Sequence, residues 1–295
     1  MSEENSPVFT NVTGFSIQQS LRGYDFDVDT LRRLYRNLSR VLAEHADSIV
    51  KGLSKPDDET QEEWEVRKQR FRREAFRVTV SVISDDGANH FGDDISIFDA
   101  LNMPRVVKTV FYTNNTAYKA LVGTDVPDKF DILIDFSKPP LLDWSNLLSA
   151  PTPNNSNVSV SSFNSMFKNT ILSEVISSLS AKRKLSSAFH QAFIYDAFLY
   201  FAAVPYAFYL TSKLSNSAWI KTYPIEWRVP LYVYAFLLIA SGYRFLFSYF
   251  KWAFPINTLK GNDDASSKHR GFFTFIVAAL LGAAVYDAAK WIIAI

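Results

Sequence analysis

The sequence predicts an α+β cytosolic domain, mainly an antiparallel sheet with helices, followed by an all-α transmembrane region of two to three helices. Three observations carry this reading. Apolar residues recur at helical spacing over residues 28–50, the period shortens to two from Phe76 onward, and three apolar windows of spanning length follow residue 190. The boundary falls near residue 188, with a soluble part at 1–188 and a membrane part at 189–295.

The opening MSEENSPVFTNVTG is polar and acidic, without the basic start and apolar core of an export signal, so the N-terminal part is expected to stay in the cytosol. Over residues 28–50, Leu31, Leu34, Tyr35, Leu38, Val41, Leu42, Ile49 and Val50 share one helical stripe. Asp27 or Asp29 can cap its start, and GLSKPDD ends it. A second helix over residues 58–75 starts from Asp57 or Asp58, with early Glu and late Arg suited to the helix dipole. Its arginines read as a solvated face in preference to a lipid or RNA contact. FRVTVSVIS then alternates, DDG turns the chain, and DISIF, RVVKTVFYT, KFDILIDF and a short NVSVSSF follow as strands. Connections this short demand mostly antiparallel pairing. Residues 137–159 read as a loop laid on the sheet through Leu141, Leu142 and Trp144. A helix over residues 163–184, with Phe163, Phe167, Ile171 and Val175 at helical spacing, leads towards the membrane and could serve as a lever.

The spans are placed at about 191–211, 229–250 and 271–294, each near the 20 residues that cross a hydrocarbon core about 30 Å thick. Three spans put Lys182, Arg183, Lys184, Lys251, Lys260, Lys268 and Arg270 on the cytosolic side, as the positive-inside tendency favours. Asp196 and Arg244 then sit at similar depth, roughly 8 to 9 Å from the cytosolic edge, where they can pair or snorkel separately. Asp287 and Lys290, three residues apart on one helix, can neutralise each other. Ala278 and Gly282, Ala279 and Ala283, and Ala284 and Ala288 offer close helix approach, either within one chain or between copies as a homo-oligomer through the spans.

Composition excludes more than it identifies. The absence of cysteine removes disulfides, thiolate nucleophiles and Cys-ligated metals. Residues 1–189 hold 22 Lys+Arg against 25 Asp+Glu, and residues 190–295 hold 9 against 5. No basic stripe marks a nucleic-acid binder. Phosphate-loop, nucleophile-elbow, HExxH and dinucleotide fingerprints are absent, so no cofactor and no catalytic residue is expected. The densest chemistry is DDGANHFGDD, where Asp85, Asp86, His90, Asp93 and Asp94 could gather a hard cation, although Asp-Asp-Gly between alternating runs is first a hairpin turn. The expected function is a multi-pass membrane-anchored interaction or sensor protein, with the bilayer and a cytosolic protein as partners. The alternative is a membrane-perturbing effector of the toxin-like or antiviral type, controlled by the cytosolic domain.

Overall fold

The computed structural model describes residues 14–141, 152–179, 185–262, 265–266 and 268–275. The chain forms two compact units, interleaved in sequence. The first comprises Met1–Asp135, Asn154–Lys182 and Leu259–Gly261; the second comprises Phe136–Pro153, Arg183–Thr258 and Asn262–Ile295.

The first unit is the expected α+β fold. It opens with β1 (Phe15–Ser20) and the two-residue β2 (Asp25–Phe26), then α1 (Val28–Lys51). Asp27 caps α1, accepting from Thr30 N–H and Thr30 Oγ1, both at 2.7 Å. Of the predicted stripe Leu31, Leu34, Leu38, Val41, Leu42 and Val50 are buried, joined by Ala46, while Tyr35 and Ile49 are half-buried. Next comes α2 (Gln61–Ala75), which starts later than Asp57 or Asp58 would set it. Thr60 and Glu63 form a reciprocal capping box there, satisfying two end donors at once.

The strands follow: β3 (Thr79–Ser84), β4 (Asn89–Gly92), β5 (Val107–Thr113), β6 (Lys129–Asp135) and β7 (Asn157–Ser162). An eight-residue α3 (Asn115–Val122) lies between β5 and β6 and ends at Gly123, whose φ of 84° suits glycine. Finally α4 (Ser165–Ser178) is capped by Asn164. The sheet order is β1-β7-β6-β5-β3-β4, antiparallel throughout. Val80, Val82, Val110, Tyr112, Phe130, Ile132, Ile134, Val158 and Val160 are buried on the face covered by α1 and α4. The Tyr112 hydroxyl reaches the Leu31 carbonyl at 3.1 Å, joining β5 to α1.

The structure differs locally from these expectations. DISIF is not a strand: Ile95–Phe98 is a 3₁₀ turn, capped by Asp94 through Ser96 N–H at 2.8 Å, with Ile97 and Phe98 buried. The strand after the turn is instead Asn89–Gly92, and neither β1 nor α3 is predicted by the apolar pattern. The expected contacts of Leu142 and Trp144 lie outside the described residues, as do Lys182, Arg183 and Lys184.

The second unit contains two helices long and apolar enough to cross a membrane, Ala192–Ser215 and Ile225–Ala253. The first is α5 (Ala192–Phe198), one π-helical turn at Leu199–Ala203 and α6 (Val204–Ser215). Pro205, lacking an N–H, sits just after the π turn, where the helical ladder is already irregular. A short α7 (Ala218–Lys221) leads to α8 (Ile225–Ala253). At 1.5 Å per residue these helices measure about 36 and 44 Å, both more than the roughly 30 Å of a hydrocarbon core. Residues 268–275 are helical; the remainder of the predicted third span, with Asp287, Lys290 and the small-residue pairs, lies outside the described residues.

Candidate functional site

The Asp-rich hairpin between β3 and β4 is built as a turn. Gly87 adopts a φ of 88°, and Asp86 accepts from the Ser84 hydroxyl and from Ala88 N–H. Those bonds, the one from Ser84 foremost, favour the ionised form and hold the Asp86 carboxyl below the usual carboxylate range. Asp93 pairs with Arg77 at 2.6 Å, and its carbonyl accepts from the Tyr35 hydroxyl at 2.5 Å. Asp94 is occupied as the 3₁₀ cap. Asp85, Asp86 and His90 border a hollow of about 380 Å³ with Ser84 and Arg105, whereas Asp93 and Asp94 do not. Among the described residues no group of three His, Cys, Asp or Glu side chains is placed to hold a metal ion. Of the five candidate ligands, Asp86 and Asp94 are engaged as turn and cap residues, Asp93 is paired with Arg77, and His90 lies on β4.

A denser polar cluster lies elsewhere. His45 Nε2 on α1 meets Asp128 Oδ2 at 2.9 Å, while Asp128 Oδ1 accepts from Ser162 Oγ at 2.5 Å and Phe163 N–H at 2.9 Å. The His45 ring packs on Phe167, 4.2 Å between centroids. Asn114 links the same corner, donating to the Asp128 carbonyl and accepting from Phe130 N–H. Burial pushes the Asp128 carboxyl up, but the bonds from His45, Ser162 and Phe163 together outweigh it and leave the pKa below its usual value. A nucleophilic serine needs its hydroxyl on the imidazole. Here the hydroxyl donates to the carboxylate and Ser162 is buried, so the cluster ties α1, β6, β7 and α4 together without activating a nucleophile.

The arginine-rich helix is compensated by carboxylates on itself, on α1 and in the preceding loop. Arg67 pairs with Glu59, Lys68 with Glu65, Arg70 with Glu74 and Arg72 with Asp47. Arg67 and Lys68 also lie over the Trp64 ring, at 4.8 and 5.7 Å. Exposed pairs of this kind contribute about 0 to 1 kcal/mol each and leave little net field for a phosphate.

In the second unit the apolar helices pair with each other and leave most of their surface uncovered. Phe208 meets Phe236 at 4.9 Å and Tyr195 meets Phe247 at 4.9 Å, as antiparallel neighbours would. The Tyr243 hydroxyl donates to the Tyr195 carbonyl at 3.1 Å; Asp196 and Arg244 are each next in sequence to one of these tyrosines. None of the most apolar stretch of α8 is buried, and 11 % of that of Ala192–Ser215. Phe201 is 86 % exposed. Trp219 and Trp227 are exposed at the end near α7. At the other end Tyr249 stacks on Trp252, Lys138 Nζ lies 5.5 Å over Trp252, and the Tyr249 hydroxyl meets His269 Nδ1 at 2.5 Å. His190 is buried there, its Nε2–H donating to the Phe254 carbonyl at 2.6 Å and its Nδ1 3.0 Å from Thr152 Oγ1.

No protein-family model, no characterised protein and no solved structure matches the chain.

Proposed function

We propose that the chain is a multi-pass membrane-anchored interaction or sensor protein, with its α+β unit in the cytosol as the part that meets a protein partner. The observation that carries the membrane half is the uncovered apolar surface of Ala192–Ser215 and Ile225–Ala253. A core helix of a soluble protein would be mostly buried, and an export signal would lie near the N-terminus; these helices fit neither description. Exposed Trp219 and Trp227 at one end, and Trp252 with Tyr249 at the other, suit the two headgroup zones.

The test uses tagged full-length chain in native membranes. Alkaline carbonate should leave it in the pellet, and protease added to the cytosolic face should digest the α+β unit while sparing a fragment containing Ala192–Ala253. Release by carbonate would refute the membrane assignment. Protection of the α+β unit from cytosolic protease would refute its orientation. Capture in mild detergent should recover a protein that is lost when β1 to α4 is deleted; recovery unaffected by that deletion would remove the interaction role.

A further inference from the structure

The two edges of the six-stranded sheet are built differently. At one edge β4 is four residues long, flanked by Asp85, Asp86, Asp93 and Asp94, and followed at once by the 3₁₀ turn. Such short, charged, bent edges resist pairing with other chains. At the other edge β1 pairs one-to-one with β7 over six residues without a bulge. Its sequence FSIQQS contains no charge and no proline, and residues 14–21 as a whole are uncharged. Among the described residues no strand lies on its outer side.

The direction of the free groups follows from one hydrogen bond. Leu21 N–H donates to Ser156 O at 2.9 Å, extending the β1–β7 ladder by one pair. Because antiparallel residues alternate, Phe15, Ile17 and Gln19 direct their backbone groups to β7, while Ser16, Gln18 and Ser20 direct theirs outward. A strip of apolar surface runs beside this edge on the helix-covered face. Phe15 is 37 % exposed, Phe163 is 55 % exposed with its ring beside Gly14, and Ile176 is 47 % exposed. Lys168 Nζ lies 5.3 Å over the Phe15 ring, which turns the shared face of Lys168, Leu172 and Ile176 towards β1.

We infer that a second copy of this chain pairs along β1, joining two sheets antiparallel about a twofold axis at Gln18. In that register Gln18 opposes Gln18 of the other copy and Ser16 opposes Ser20, so every outward N–H and C=O of the three residues finds a reciprocal partner. A twofold contact brings like groups together, which an uncharged strand permits and a charged one would resist. On the covered face, Ile17 then opposes Gln19 and Phe15 opposes Leu21, and the half-covered strip along α4 approaches its own symmetry mate. This pairing is independent of the proposed membrane role and of any association between the apolar helices.

The chain has no cysteine, so single cysteines report the register directly. Full-length chain in mild detergent is oxidised as the variants Gln18→Cys, Ser16→Cys and His90→Cys, and as a mixture of Ser16→Cys with Ser20→Cys. A hydrogen-bonded antiparallel pair holds its Cα atoms about 5.5 Å apart, within the roughly 4.4 to 6.8 Å that a disulfide spans. Gln18→Cys should therefore give a covalent dimer, and the mixture a dimer containing both variants. Two copies of Ser16→Cys would sit four residues apart along the ladder, about 13 Å, and should remain monomeric, as should His90→Cys on the guarded edge. Failure of Gln18→Cys to link would overturn the proposal. So would equal linking by Ser16→Cys or His90→Cys, or linking of Gln18→Cys in membranes to a different protein in place of a second copy.

Discussion

Replacing Asp128 by alanine and by asparagine separates the two things its carboxylate does: it accepts three hydrogen bonds, and it carries a charge. With alanine, Phe163 N–H loses its acceptor. The Ser162 hydroxyl can turn to Asn164 O, 2.9 Å away, and His45, whose side chain is 10 % exposed, can reach water. Only part of the orphaning cost of about 1 to 3 kcal/mol per buried group is then realised, and the expected loss is about 2 to 4 kcal/mol. Asparagine keeps one oxygen for Ser162 and Phe163 and turns an N–H towards His45 Nε2, which can accept it, so the loss falls to about 1 kcal/mol. The charge shows in the acid limb. Because the folded pKa is lowered, the carboxylate's contribution is fully present above the usual carboxylate pKa of about 4 and is lost as pH falls through the folded value. Asp128→Asn should lack that limb. Amide hydrogen exchange across the β6–β7 ladder, expressed as protection factors, measures both effects. For Asp128→Ala, 2 to 4 kcal/mol corresponds to a loss of protection of roughly 30- to 900-fold. Unchanged protection in Asp128→Ala, or equal losses in the two variants at neutral pH, would refute the reasoning.

Other outcomes follow from the same structure. Leu38→Ala, at a fully buried position on the α1 stripe, should cost about 2 to 5 kcal/mol in a thermal or denaturant melt, whereas Val66→Ala on the 66 % exposed site of α2 should change stability by less than about 0.5 kcal/mol. Thr60→Ala removes one half of the α2 capping box and should cost about 1 kcal/mol, read as faster exchange confined to the first turn of that helix. Within the proposed membrane reading, the double variant Leu237→Arg and Leu238→Arg on α8 adds an insertion cost of about 2.5 to 3.5 kcal/mol per arginine. It should shift the chain from the carbonate pellet to the supernatant, and an unchanged pellet fraction would count against α8 as a span.

Legibility in the sequence depended on whether an element buries a face. The α1 stripe and the alternation of β3, β5, β6 and β7 were readable because each turns its apolar side chains to the core. Edge strand β1 has little covered surface and α3 has no buried residue, so neither leaves a periodic apolar trace. Ile95–Phe98 alternates like a strand, yet Asp94 caps it as a 3₁₀ turn whose Ile97 and Phe98 fill the core. The Asp-rich hairpin was visible as a cluster, but the partners that occupy it were not, because Arg77 and Tyr35 come from elsewhere in the chain. The His45–Asp128 contact joins residues 83 positions apart and had no signal beyond two ordinary side chains.

The sequence by itself determined the local periods, the end of helix α1, the α+β class and the apolar length of the helices at 192–253. Each of these follows from interactions within a few residues, which composition and spacing record directly. Only the tertiary structure decided that β7 lies between β1 and β6, that one sheet edge is guarded and the other has no neighbouring strand among the described residues, and that a carboxylate near β6 binds a histidine of α1. Such pairings are chosen by which surfaces can share one buried core and satisfy their backbone groups together, a condition on the whole unit that no short stretch contains.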